Sequence, residues 1–159
     1  MVIPFRDANG KIFAYQGRAF GKEQPKYITI VLDQNQKKIF GLDRVDDSRN
    51  IIIVEGPIDS LFLPNCIAVA QGDLRLPQYK EKSTLVFDNE PRNREIVKNI
   101  EKAIEEDYSV VIWPQDIEEK DINDMVISGL TTSEITNIIH RNTFSGLQAK
   151  TQISHWKKV

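Results

Sequence analysis

The stretch Ile51-Ile52-Ile53-Val54-Glu55-Gly56-Pro57-Ile58-Asp59 decides the fold. Four consecutive apolar, β-branched residues predict a strand covered on both faces, as in a parallel sheet flanked by helices. Gly56 permits the sharp turn out of that strand, and Pro57 suits the first turn of a following helix. Similar short apolar runs recur at 67–70, 84–87 and 109–113. Helical patterns separate them. Over 92–107, Ile96, Val97, Ile100, Ala103 and Ile104 form one apolar stripe with Arg, Lys and Glu opposite. Shorter helices are expected at 58–62, at 121–128 ending on Gly129, and from the capping box Thr131/Glu134 to about His140.

Alternating strands and helices predict right-handed crossovers and an α/β fold with a parallel-type sheet flanked by helices. Upstream of residue 47 the pattern differs. Residues 2–5, 11–15 and 26–32 are β-rich and separated by turn signals such as Asp7-Ala8-Asn9-Gly10, which predicts a small antiparallel β subdomain. The expected organisation is therefore 1–47 as a basic β-rich subdomain, 48–141 as the α/β domain, and 142–159 as a tail that is either mobile or docks on something outside this chain.

Composition narrows the chemistry. The 159 residues hold one cysteine and two histidines, which excludes an internal disulfide and leaves no zinc-ligand spacing. No apolar run approaches the roughly 20 residues of a membrane helix, and Met1 does not open a signal peptide, so a cytoplasmic location is expected. The chain carries 21 basic and 23 acidic residues, so contact with nucleic acid must come from segregated charge. Residues 1–44 supply it, with eight basic and four acidic side chains.

In parallel sheets ligands sit beyond the carboxyl ends of the strands. Glu55 falls there. So do Asp88 and Glu90, two residues apart and therefore on one side of an extended chain, and Lys120-Asp121-Ile122-Asn123-Asp124 opens the next helix. Carboxylates crowded at one edge repel each other, and hard oxygen ligands without His or Cys favour Mg²⁺ or Mn²⁺. That combination points to phosphoryl-transfer chemistry. Asp121 is either a helix N-cap or a ligand, and Asp59 either steadies the turn after Glu55 or reaches a metal. Asp116 reads as a solvated loop charge, Cys66 as a small buried hydrophobe, Trp113 as the end of a buried strand and His140 as a favourable cation at a helix C-terminus.

The runs 53–59, 86–90 and 120–124 resemble the Toprim domain shared by bacterial-type primases, topoisomerases and some nucleases. The upstream residues Ile3 to Asp7, Gln16-Gly17-Arg18, Pro25-Lys26-Tyr27 and Ile39 to Leu42 resemble the stretch preceding Toprim in the polymerase core of DnaG-type DNA primases. The resemblance covers residues 2–127, and 55–65 and 120–125 look most like the primases of T4-type bacteriophages. It implies catalysis by Glu55, metal binding by Asp88, Glu90 and Asp121, and template or nucleotide contact by Arg18, Lys26 and Tyr27. Two departures from the family pattern stand out. Glu90 replaces the usual second Asp, and Asn123 replaces an Asp in the third motif, where Asp124 is the substitute; Asp59, Asn123 and Asp124 are further candidates for the metal or its surroundings.

The implied activity is metal-dependent synthesis of RNA primers on single-stranded DNA from ribonucleoside triphosphates, with a replicative helicase as partner in the host cytoplasm. DnaG-type primases also carry a zinc-binding module, which this sequence has no ligands for, so weak priming by the chain alone is expected. The alternative reading is a Toprim nuclease or topoisomerase-like DNA-cleaving module.

Overall fold

The computed structural model of the protein describes every residue except Glu23 and Gln71. The chain begins as the expected antiparallel meander of β1 (Val2–Arg6), β2 (Ile12–Arg18) and β3 (Tyr27–Val31), paired in the order β1-β2-β3. The first turn is built by Asp7, whose carboxylate accepts the backbone N–H of Asn9 and of Lys11 at 2.9 and 3.0 Å. Gly10 follows at φ +80°, a conformation open to glycine at little cost. One face of this sheet packs Ile3 and Phe5 with Ala14, and Phe5 meets Phe13 and Phe40 edge to face. On the other face Val2, Ile28 and Ile30 are exposed.

The larger sheet has six strands in the order β4-β6-β5-β7-β8-β9. They are β4 (Ile39–Phe40), β5 (Ile51–Val54), β6 (Cys66–Val69), β7 (Ser83–Val86), β8 (Ser109–Val111) and β9 (Thr143–Phe144). The four inner strands are parallel, as their unbroken apolar runs require, and the two short edge strands are antiparallel. Strands β5 and β7 are direct neighbours, with Val54 opposite Val86.

Helix α1 (Arg94–Glu105) buries Ile96, Val97, Ile100, Ala103 and Ile104, the stripe read from the sequence, and starts at Asn93, whose side chain accepts the N–H groups of Glu95 and Ile96. The short helix α2 (Ile122–Ile127) is capped by Asp121, and α3 (Thr132–Arg141) opens on the Thr131/Glu134 capping box. The turn after Glu55 is a 3-10 helix, Asp59–Phe62.

Two parts of the expected layout differ. Residues 39–40 lie on the edge of the larger sheet, although the sequence pattern grouped them with the first meander. The region from 142 onward forms β9 and an eleven-residue helix, α4 (Gly146–Trp156), which buries Ala149, Ile153 and Trp156 against the core. Neither option for that tail is seen, because its apolar stripe packs on the chain's own core. Cys66 is buried, and burial pushes its thiol well above the ordinary range. Trp113 is buried with its indole N–H donated to the carbonyl of Phe87 at 2.8 Å.

Candidate active site

Glu55 stands one residue beyond β5, and Asp88 two residues beyond β7, so the adjacency of these strands brings both carboxylates to one sheet edge. Gly56 is required by close approach. A Cβ there would lie 2.0 Å from Oδ2 of Asp59, so any larger residue would push the Asp59 carboxylate out of its place. Asp59 in turn accepts the backbone N–H of Asn123 at 2.8 Å, which ties the turn after β5 to the first turn of α2. Asp121 accepts the N–H of Asp124 at 2.8 Å as N-cap. Asp121 is thus the helix N-cap, Asp59 is engaged in a structural hydrogen bond to the start of α2, and both also line one cleft.

That cleft, of about 380 Å³, is bounded by Glu55, Asp59, Asp88, Lys120 and Asp121 on one side and by Gln16, Lys26 and Tyr27 on the other. Glu90 joins Glu55, Asp88 and Lys120 along an adjoining cleft of about 360 Å³. Arg18, Lys26 and Tyr27 meet Asp59, Asp121 and Asn123 in a narrower recess. Arg18 and Lys26 both lie over the Tyr27 ring, at 5.6 and 5.7 Å from its centroid. Of the residues singled out from sequence, Asp124 is exposed and does not line these clefts.

Electrostatics mark this edge as strained. Burial, then the nearby Asp88, raise the Glu55 pKa to about 7. Burial also raises Asp59 and Asp88, each to about 6, with neighbouring carboxylates adding to the effect. Oε1 of Glu55 is buried without a hydrogen-bond partner. Lys120 pairs with two of the carboxylates, its Nζ at 3.6 Å from Asp88 and 3.4 Å from Glu90. Burial lowers the Lys120 pKa, but Asp88 and Glu90 outweigh it and hold the ammonium above its usual range.

Among the described residues, no group of three or more His, Cys, Asp or Glu side chains is arranged to hold a metal ion as it stands. The donor set nevertheless fits a hard divalent cation. Magnesium commonly binds one or two carboxylates and completes its octahedron with water and phosphate oxygens, so a closed protein cage is not required. An unpartnered buried carboxylate oxygen beside two further carboxylates is the kind of site such an ion neutralises.

Two residues were not singled out as site residues from sequence. Lys120 was quoted only as part of a motif. Asn89 carries a clamp: its side-chain amide donates to the carbonyls of Ile117 and Glu119 at 2.9 and 3.1 Å, and its backbone N–H donates to the carbonyl of Lys120 at 2.7 Å. Its only sequence signal was its place between Asp88 and Glu90.

A small antiparallel sheet set against a mixed, largely parallel sheet flanked by helices is a fold shared with primase catalytic cores. Solved structures with this fold include the zinc-binding and RNA polymerase domains of the Aquifex aeolicus primase (TM-score 0.65, 22% identity, 90% of this chain and 40% of that one). Another is the RNA polymerase domain of Mycobacterium tuberculosis primase DnaG (TM-score 0.66, 17% identity, 89% of this chain and 55% of that one). In sequence, the chain is 39% identical over 164 residues to the DNA primase of Enterobacteria phage T4, covering all of this chain and 48% of the T4 protein. The chain thus spans about half the length of that relative. No family model matches. The resemblance to DnaG-type, T4-like primases stated for residues 2–127 is borne out and reaches the whole chain.

Proposed function

We propose that this chain is catalytic-core material of a DNA primase, extending ribonucleotides along single-stranded DNA by attack of a 3′-hydroxyl on an α-phosphate with loss of pyrophosphate. The observation that carries the proposal is the cleft in which Glu55, Asp59, Asp88 and Asp121 face Lys26 and Tyr27. Polyanionic template and nucleotide fit between the cations of the first sheet and a carboxylate edge that needs positive charge. Mg²⁺ or Mn²⁺, held by Asp88 and Glu90 with Asp121 or Asp59 nearby, would supply charge neutralisation at the phosphates.

The chain's own groups supply the rest. Glu55, raised to about 7 by burial and by Asp88, is suited to take up or release a proton near neutral pH. Arg18 and Lys26 orient phosphates, and the Tyr27 ring that both lie over holds the two cations at the cleft. Lys120 steadies the carboxylates until substrate arrives and then offers its ammonium to phosphate oxygens. A zinc-binding module, a replicative helicase and a host-cytoplasmic location belong to the same proposal. No helix among the described residues is long and apolar enough to cross a membrane.

The test is primer synthesis on single-stranded DNA with labelled ribonucleoside triphosphates and Mg²⁺ or Mn²⁺, alone and with a T4-type zinc-binding module added. Metal-dependent oligoribonucleotides, weak alone, stimulated by the module and lost in Glu55→Gln, are expected. Nicking of plasmid DNA without any primer synthesis would favour the cleavage reading instead.

A further inference from the structure

Asn89 sits between two carboxylates proposed to hold metal, yet its own side chain faces away from substrate chemistry and into the scaffold. Both amide protons are used on carbonyls of 114–120, a segment with no strand or helix to satisfy them. Its Oδ1 accepts the indole N–H of Trp156 at 3.2 Å, from the last residue of α4. Just beyond, the backbone N–H of Lys158 donates to the carbonyl of Pro91 at 2.8 Å, and Lys157 pairs with Glu101 of α1 at 2.7 Å. One asparagine thus joins three segments far apart in sequence: the loop carrying Asp88 and Glu90, the loop carrying Lys120 and Asp121, and the C-terminal helix.

We infer that Asn89 and Trp156 form a positioning pair through which the C-terminal helix fixes the loop of Asp88 and Glu90 against the loop of Asp121 at the proposed cation site. This inference rests on the metal reading above. An asparagine suits the task because it offers two donors and an acceptor on one rigid plane. Aspartate would turn an oxygen toward two carbonyls, and alanine would leave those carbonyls and the buried indole unmatched. Residues that orient ligands from behind typically change metal affinity by about ten- to a hundredfold when altered.

The experiment measures Mn²⁺ binding by electron paramagnetic resonance of the free ion, beside thermal unfolding of the metal-free protein. It uses the whole chain in wild type, W156F, N89A, the double variant, D88N and I153V. Binding is expected to weaken about threefold in W156F and about tenfold in N89A. The double variant should be no worse than N89A, because both changes break one connection. I153V trims the seat of α4 without touching the hydrogen bond, so it should lower Tm and leave Mn²⁺ binding alone. Mn²⁺ affinity within twofold of wild type in W156F and N89A, with D88N abolishing binding, overturns the positioning role and leaves the metal site standing. An I153V protein that loses Mn²⁺ as W156F does also overturns it, since general loosening of α4 would then suffice. Wild-type binding by D88N overturns the metal reading itself. Should W156F fail to fold, N89A alone decides.

Discussion

Replacing Lys120 by methionine removes the ammonium between Asp88 and Glu90 and keeps most of the stem. At separations of 3.6 and 3.4 Å, each contact is worth about 1.2 kcal/mol at the dielectric of water. The Lys120 side chain is 52% exposed, so the aqueous value is the apt one. Ordering a long side chain and salt screening reduce the pair to roughly 1 kcal/mol in total. A divalent ion taking those oxygens has to displace this contact, so K120M should bind Mn²⁺ roughly fivefold more tightly at low salt. The measurement is a Mn²⁺ titration at pH 8, where protons compete least for the carboxylates. With metal absent, the same variant should melt earlier, because Asp88 and Glu90 lose their nearest cation. Mn²⁺ affinity that is unchanged or weaker in K120M would refute the idea that the ammonium holds the place of a metal.

Other expectations follow from the same geometry. Glu55→Gln removes a buried charge whose Oε1 has no partner, so the metal-free variant should melt at or above the wild-type temperature at pH 8 while primer synthesis falls by about two orders of magnitude. Glu55, Asp59 and Asp88 all have folded-state pKa values raised above their ordinary ones, to about 7, 6 and 6. The folded chain therefore holds protons that the unfolded chain has lost, and the stability these groups contribute, complete at low pH, disappears as pH rises through 6 and 7. Metal-free Tm should fall between pH 5 and 8, and added Mn²⁺ should reverse the fall at pH 8. Arg18→Ala and Lys26→Ala should each weaken single-stranded DNA binding and flatten its salt dependence by about one unit of slope, measured by fluorescence anisotropy. Ile100→Ala, in the core at 1% exposure, should cost about 3 kcal/mol in urea unfolding and leave Mn²⁺ affinity unchanged.

Much of this was legible because periodicity and position carry it. Buried strands must be apolar throughout, so Ile51–Val54 and its successors announced a parallel sheet, and whatever follows such strands falls at the ligand-binding edge. Three features were not legible for identifiable reasons. Ile39–Phe40 is a two-residue strand, too short for any period to register, and only its pairing with β6 reveals its sheet. Helix α4 buries Ala149, Ile153 and Trp156 at helical spacing, but Leu147 is 81% exposed and blurs the stripe. Lys120 and Asn89 act across the fold on groups about 30 residues away, and nothing in local sequence says which way a lysine or an asparagine will reach.

The pairing of Val54 with Val86 turns backbone spacing into a ruler. Neighbouring strands sit about 4.8 Å apart whatever their side chains, so the interval between the acidic ends of β5 and β7 is inherited from peptide hydrogen bonding. Lengthening a distant loop leaves that interval alone. A slip of one residue in β7 turns the side chains after it to the opposite face and uncouples the two carboxylates at a stroke. Tolerance to insertion should therefore change abruptly along the chain, high in the surface connections and absent within these eight strand residues.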